Sequence, residues 1–491
     1  MRSFALATVV FTVAGTAACG TDVDPSQPPP ETTARATWYQ DVAPIVSKHC
    51  MSCHQDGGIA PFSLTTYEDA SSNAKMMLDQ INQGAMPPFG AREEADCNPR
   101  FGWQDDPRLA SQEKLTLQWW LEDGTPAGQV AQVPVPANTD LPNVTKTVKP
   151  AQAFTSSGDR DQFICTVLDP GLTAGAWLNG LQIRPGNPVV VHHAVITEVF
   201  ATGANADLIA SHPTGVPWDC SMEQDPADLV VSIWTPGNQP MQTPTELAVP
   251  LLAGSKLVMQ IHYHPAGAVN DPDITSIDLR TTNIWPQKMY FVGAFGNAFA
   301  APNLLPDPDD RTTAPEFRIP ANKADHEEHM TFAVGDLGGL QNVQLYSVNP
   351  HMHLVGTHIN STIIRPTARG ADPQTECLAN GNWNFDWQRT YIYDTPIASL
   401  PTVKPGDVID VNCHWDNTMN NPFVLRALKD AGLNAPVDIT LGEGNSTDEM
   451  CLEIFGISVD APPQGSFRTL APNRFPIAAL STLVPRSVGV E

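Results

Sequence analysis

Two kinds of residue cluster in this chain could carry redox or metal chemistry. The first is Cys50-Met51-Ser52-Cys53-His54. Two thiols three residues apart can add to the two vinyl groups of one haem, and the next residue then supplies an axial imidazole. The second is a set of histidine strings: His192-His193, His262-Tyr263-His264, His351-Met352-His353 and His326-Glu327-Glu328-His329. On a strand, residues i and i+2 share a face, so His351 and His353 can converge on a single ion. His262 and His264 share a face by the same rule, and either could be a ligand. Adjacent His192 and His193 would face opposite ways on a regular strand. Both reach one ion only through a bulge or by using different ring nitrogens. His326 and His329 are spaced i, i+3, not the i, i+4 of a zinc protease. They are expected in a solvated loop or in support of a site. His414 has no assigned ligand role.

The elements that must position these groups fall into distinct stretches. Residues 1–18 read as an export signal: Arg2, an apolar run from Phe4 to Val13, then small residues before Cys19. Cys19 is a candidate lipid anchor, and residues 19–36 suit a flexible tether. Residues 37–128 carry helix-like spacing over Tyr67–Gln83 and Ser111–Glu122. A Val/Pro/Ala-rich linker covers 129–150. Beyond it, short alternating strands are predicted at Phe163–Leu168, Val189–Ile196, Lys256–His264, Val343–Val348, His358–Ile364 and Val408–Cys413. The expected fold is mainly β, with two antiparallel β-sandwich (jelly-roll-like) domains, 151–300 and 301–491, preceded by a small α-helical haem domain.

Composition narrows the options. The 491 residues carry a net charge of −26, with 46 prolines, 34 glycines and only 16% charged residues. Long helical bundles are disfavoured. No basic stripe exists to neutralise phosphates, so nucleic acid is excluded as a partner. Export places the chain in the periplasm, free or anchored to the envelope of a bacterium, where disulfides are permitted.

Residues 38–128 resemble a bacterial monohaem c-type cytochrome domain. The resemblance selects Met86, in Met86-Pro87-Pro88, as the second axial ligand opposite His54. Met51, Met76 and Met77 compete for that role. Residues ~145–465 resemble the copper type II, ascorbate-dependent monooxygenases, the family of dopamine β-monooxygenase and peptidylglycine α-hydroxylating monooxygenase. The matching strings run in family order: His192-His193, Trp234-Thr235-Pro236-Gly237, His262-Tyr263, His351-Met352-His353-Leu354-Val355-Gly356, Lys404-Pro405-Gly406-Asp407, Cys413-His414-Trp415-Asp416-Asn417 and Glu449-Met450-Cys451.

This resemblance implies two copper ions per chain, in two sandwiches facing across an open cleft. His192, His193 and His262 would hold the electron-transfer copper, and His351, His353 and Met450 the catalytic one. It also implies a Cys413–Cys451 disulfide beside Met450, with a plausible counterpart in Cys165–Cys220. Cys97 and Cys377 remain, either as a pair or as two free thiols. The implied reaction is hydroxylation of an activated C–H bond of a small organic substrate by O2. Electrons would come from an ascorbate-like reductant or a periplasmic redox protein, through one covalently attached haem c. Peptide-hydroxylating relatives bind a substrate carboxylate through arginine and tyrosine. Asn349 and Ile454 stand at those positions here, which argues against a C-terminal glycine peptide. A haem/copper electron-transfer or copper-binding protein without hydroxylase activity is the alternative, followed by a haem-based redox sensor.

Overall fold

The computed structural model describes residues 34–464 apart from 57, 59, 136–138, 158–160, 221–227, 265–271, 298–302, 338 and 443–447. The export signal, Cys19 and most of the tether lie outside the described residues.

Helices form where the apolar spacing places them, at Tyr67–Asn82 and Ser111–Glu122, and a further short one covers Ala43–His49. Thr66 caps the second by accepting from Asp69 N at 3.1 Å, and Glu68 and Asp69 favour the positive end of its dipole. Its buried stripe, Ala70, Ala74, Met77 and Ile81, joins Leu117, Trp120 and Trp38 in a core of its own. Met51 also packs there, whereas Met76 is exposed. Packing thus occupies two of the three methionines that compete with Met86. Among the described residues no helix is long and apolar enough to cross a membrane.

The rest is mainly β, in several antiparallel sheets. In the first half, a five-stranded sheet centres on Gln162–Leu168, Lys256–Tyr263 and Val191–Val199. In the second half, a four-stranded sheet runs His326–Ala333, Val408–Trp415, Gly356–Ile364, Thr375–Asn382. A nine-stranded sheet serves both halves. The Leu247–Leu251 and Lys288–Asn297 strands pair in parallel and join the two parts. Lys288–Asn297 precedes the boundary expected at 300/301, yet it pairs along its whole length with Cys451–Asp460. The second half therefore recruits its sheet from before that boundary. The expected linker also contributes a strand, Lys146–Val148, which pairs with Ser276–Thr282. The inward faces of both halves merge into one apolar cluster.

Two readings change here. His326 and His329 sit on a strand, not in a loop, and His326 is buried. Within the 37–128 stretch, the arm from Phe89 to Trp103 leaves the helical core. It bridges the second half at Ala91↔Gly381 and Trp103↔Tyr393, and its apolar residues join the β core. Cys97–Cys377 locks it there with Cα atoms 5.2 Å apart, resolving the open alternative as a disulfide. Arg100 adds ion pairs to Asp372 and Glu376, both at 2.8 Å. Cys165–Cys220 and Cys413–Cys451 are the other two disulfides.

Candidate metal centres

The Val191–Val199 strand pairs with Lys256–Tyr263 in two registers: Val191 opposes Tyr263, but His193 opposes His262. His192 is the extra residue of a bulge. That irregularity lets two consecutive imidazoles turn to one point. His192 Nδ1 lies 3.2 Å from His193 Nδ1, and His262 Nδ1 lies 3.4 Å from the same atom. Two ligands held about 2.0 Å from one tetrahedral ion stand about 3.3 Å apart. The observed separations match that requirement, so these three residues fit a metal ion. His262 Nε2 donates to Asp161 Oδ1 at 2.9 Å, which leaves the Nδ1 lone pair facing the cluster. Burial draws the His262 pKa down to about 4, against the pull of Asp161. A neutral imidazole is the form that binds metal. His264 is placed differently, with Nδ1 at 2.8 Å from Asp161 Oδ1 and 3.0 Å from the Arg426 guanidinium.

His351 ends the Gln344–His351 strand, and His353 follows two residues on, with ring centroids 5.5 Å apart. His351 Nδ1 donates to Gln388 Oε1 at 3.2 Å, and His353 Nδ1 to the Asp448 carbonyl at 3.0 Å. Both bonds leave Nε2 as the free ligand atom. Burial lowers these imidazoles to about 4 and about 3 respectively. Met450 is buried at the start of the Cys451–Asp460 strand, next to the Cys413–Cys451 disulfide. Sequence reading gave its neighbour Glu449 no role. The buried Glu449 carboxylate accepts from the backbone N–H of His353 at 2.7 Å, Val355 at 2.9 Å and Met450 at 3.2 Å. One side chain thus ties the His353 loop to Met450. Two imidazoles and a thioether suit copper, with sulfur favouring Cu(I).

A short segment, Phe385–Arg389, runs between the two histidine sets. Phe385 stacks on His192 at 5.5 Å, and Asp386 Oδ1 lies 3.5 Å from His192 Nε2. Gln388 holds His351. Trp387 and Arg389 line a cavity with Cys53, Pro87, Pro88 and Gly237. This five-residue segment therefore contacts both histidine sets and shares a cavity with Cys53 of the haem-type motif. No local spacing rule marks them; an aromatic, acid, aromatic, amide, base run reads as an ordinary loop.

Cys50 and Cys53 are free thiols, while the other six described cysteines are paired. His54 Nδ1 donates to the Phe62 carbonyl at 3.1 Å, which leaves Nε2 available as an axial ligand. Met86 is half-buried, one residue before the cavity-lining Pro87. This donor set fits a covalently attached haem. Asn349 and Ile454 line a neighbouring groove with Tyr290, Tyr346, Arg389 and Thr390.

The chain matches no protein-family model, and no curated protein matches it. Among solved structures it is similar to the major capsid protein P2 of bacteriophage PM2, at 8% identity over 65% of this chain and 98% of that one, with a TM-score of 0.25. It is also similar to a broad bean stain virus structure (7% identity, 64% and 88% covered, TM-score 0.24). The cowpea mosaic virus top component gives 6% identity, 64% and 88% coverage and a TM-score of 0.25. At such scores the likeness carries no argument about function.

Proposed function

We propose that this chain is an exported copper-dependent monooxygenase acting on a small organic substrate. The reaction would be RH + O2 + 2 e⁻ + 2 H⁺ → ROH + H2O at an activated C–H bond. Residues 37–128 would be a cytochrome c-like domain, followed by two copper-binding β-sandwiches. The observation that carries the reading is the convergence of His192, His193 and His262 beside a segment that also holds His351.

Copper, when bound, would supply reversible one-electron chemistry and the activation of O2. His192, His193 and His262 would hold one ion, and His351, His353 and Met450 the other. Asp161, Gln388 and the Asp448 carbonyl fix the ring tautomers of His262, His351 and His353, so each of these three imidazoles presents a lone pair. Burial favours the neutral form of His193, His262, His351 and His353. Cys50 and Cys53 would attach the haem, with His54 and Met86 as axial ligands, and electrons would enter there from an ascorbate-like or protein donor. Asn349 donates to Thr390 Oγ1 at 2.7 Å, so the groove beside His351 offers no cation at that position.

The test is oxygen uptake by copper-loaded protein with a reductant and a panel of phenethyl and other activated C–H substrates. Uptake coupled to hydroxylated product supports the reading. Reversible copper and haem redox changes without product would instead make the chain an electron carrier.

A further inference from the structure

A third cluster, Asp307, His326 and Glu328, takes no part in the sites above. His326 and Glu328 are two apart on the His326–Ala333 strand and face the same buried side. The segment before the strand returns alongside it: Leu304 bridges Met330, and Leu305 N donates to the His329 carbonyl at 2.8 Å. That pairing brings Asp307 to the strand's start. One ligand-type atom from each of the three residues lies within 4.8 Å of the others.

The Glu328 carboxylate is the second, separate observation. Its Oε1 accepts from Arg318 N and contacts His326 Nε2, both at 3.0 Å. Its Oε2 is buried with no hydrogen-bond partner among the described residues, on a side chain with 0% exposure. A buried carboxylate oxygen left unpaired is costly, and a cation removes that cost. The nearby Lys323 and Arg318 each pair with another acid, and His326 Nδ1 lies 3.3 Å from Asp309 Oδ2. Lys323 pairs with Asp309 at 2.7 Å, and Arg318 with Asp438 at 3.3 Å. Burial pushes the Glu328 carboxyl above its ordinary range, despite His326.

We infer that Asp307, His326 and Glu328 form a separate divalent-cation site, for an ion that accepts one imidazole and carboxylate oxygens. Zinc is the representative ion, and the lack of a sulfur donor disfavours Cu(I). The ion would clamp the segment that joins the two halves onto the second half's sheet. Glu328 opposes Cys413 there, so the clamp sits one strand from the disulfide beside Met450.

The test uses the full chain, stripped with chelator and dialysed against zinc, in wild type, Asp307→Asn and Glu328→Gln. Both variants should hold one zinc equivalent fewer than wild type, and the zinc-dependent rise in thermal midpoint should shrink. Zinc at the two other histidine sets is common to all three proteins and cancels. Asp307 is only half-buried, so Asp307→Asn decides the matter if Glu328→Gln fails to fold. Wild-type zinc content in Asp307→Asn overturns the site, whatever the fate of the copper reading.

Discussion

At the scale of single residues, ligands and the groups that aim them have separable roles. In the proposed catalytic site His351 and His353 would supply two imidazoles, and Met450 a soft sulfur. Met450→Ala should therefore abolish hydroxylation more completely than it lowers copper content. Normal turnover in that variant would make Met450 a packing residue. Glu449 is a positioning residue: its carboxylate holds the backbone N–H groups of His353, Val355 and Met450 and also takes a side-chain hydrogen bond from Trp415. Burial pushes its carboxyl up to about 7, even against those donors. In Glu449→Gln an amide NH2 must face at least one of those donors, at a cost of about 1–3 kcal/mol. The expected result is a lower thermal midpoint and weaker copper binding at His351/His353, with the His192/His193/His262 set unchanged. Metal content and copper spectra of the variant check this; equal loss at both sets would remove the positioning role.

At the scale of elements, the His192 bulge and the Phe89–Trp103 arm do the placing. The bulge converts a strand that would split two histidines into one that aims both at His262. The arm joins the helical part to the β core through two backbone bridges, Cys97–Cys377 and the Arg100 ion pairs. The disulfide spans 280 residues, and a bridge closing so long a loop stabilises by roughly 2–5 kcal/mol. Replacing both cysteines by serine should lower the unfolding midpoint by a corresponding amount. It should also make the 37–128 stretch cleavable by limited proteolysis at concentrations that spare the parent. An unchanged proteolysis pattern would mean that the bridges and ion pairs alone fix the arm.

At the scale of the whole molecule, the shared sheet and merged core bury carboxyl groups deeply enough to link stability to pH. Burial raises Glu453 to about 8 and Glu198 to about 7, from an ordinary 4.5. Ser361 Oγ donates to Glu453 at 2.9 Å, and Leu252 N to Glu198 at 2.7 Å; neither offsets desolvation. A native state that keeps a proton the unfolded chain has released loses stability as pH rises. The contribution is complete below about pH 4.5 and fades as pH climbs through 7 to 8. Denaturant midpoints should therefore fall between pH 5 and 8.5, and Glu453→Gln should flatten that fall. A slope identical to that of wild type would show that Glu453 does not titrate in this range.

The candidate ligand residues were legible without the fold. The Cys50–His54 spacing, the His351/His353 repeat and the need for a bulge at His192-His193 are local facts, set by covalent proximity and the period-2 strand. The helices at 67 and 111, and the six strands expected from alternation, appear within three residues of their expected limits. Tertiary structure decided what depends on distant chain meeting distant chain. It brought His262 rather than His264 to the His192-His193 bulge, because strand register sets which ring faces the cluster. It paired Cys97 with Cys377 across 280 residues, which cysteine counting left open. It placed Phe385–Arg389 between the two histidine sets and Cys53, and gave His326 a buried strand face instead of a loop. Periodicity encodes which face of an element is apolar. It does not encode which other element will cover that face, so the contacts that join these sites emerge only when the sheets assemble.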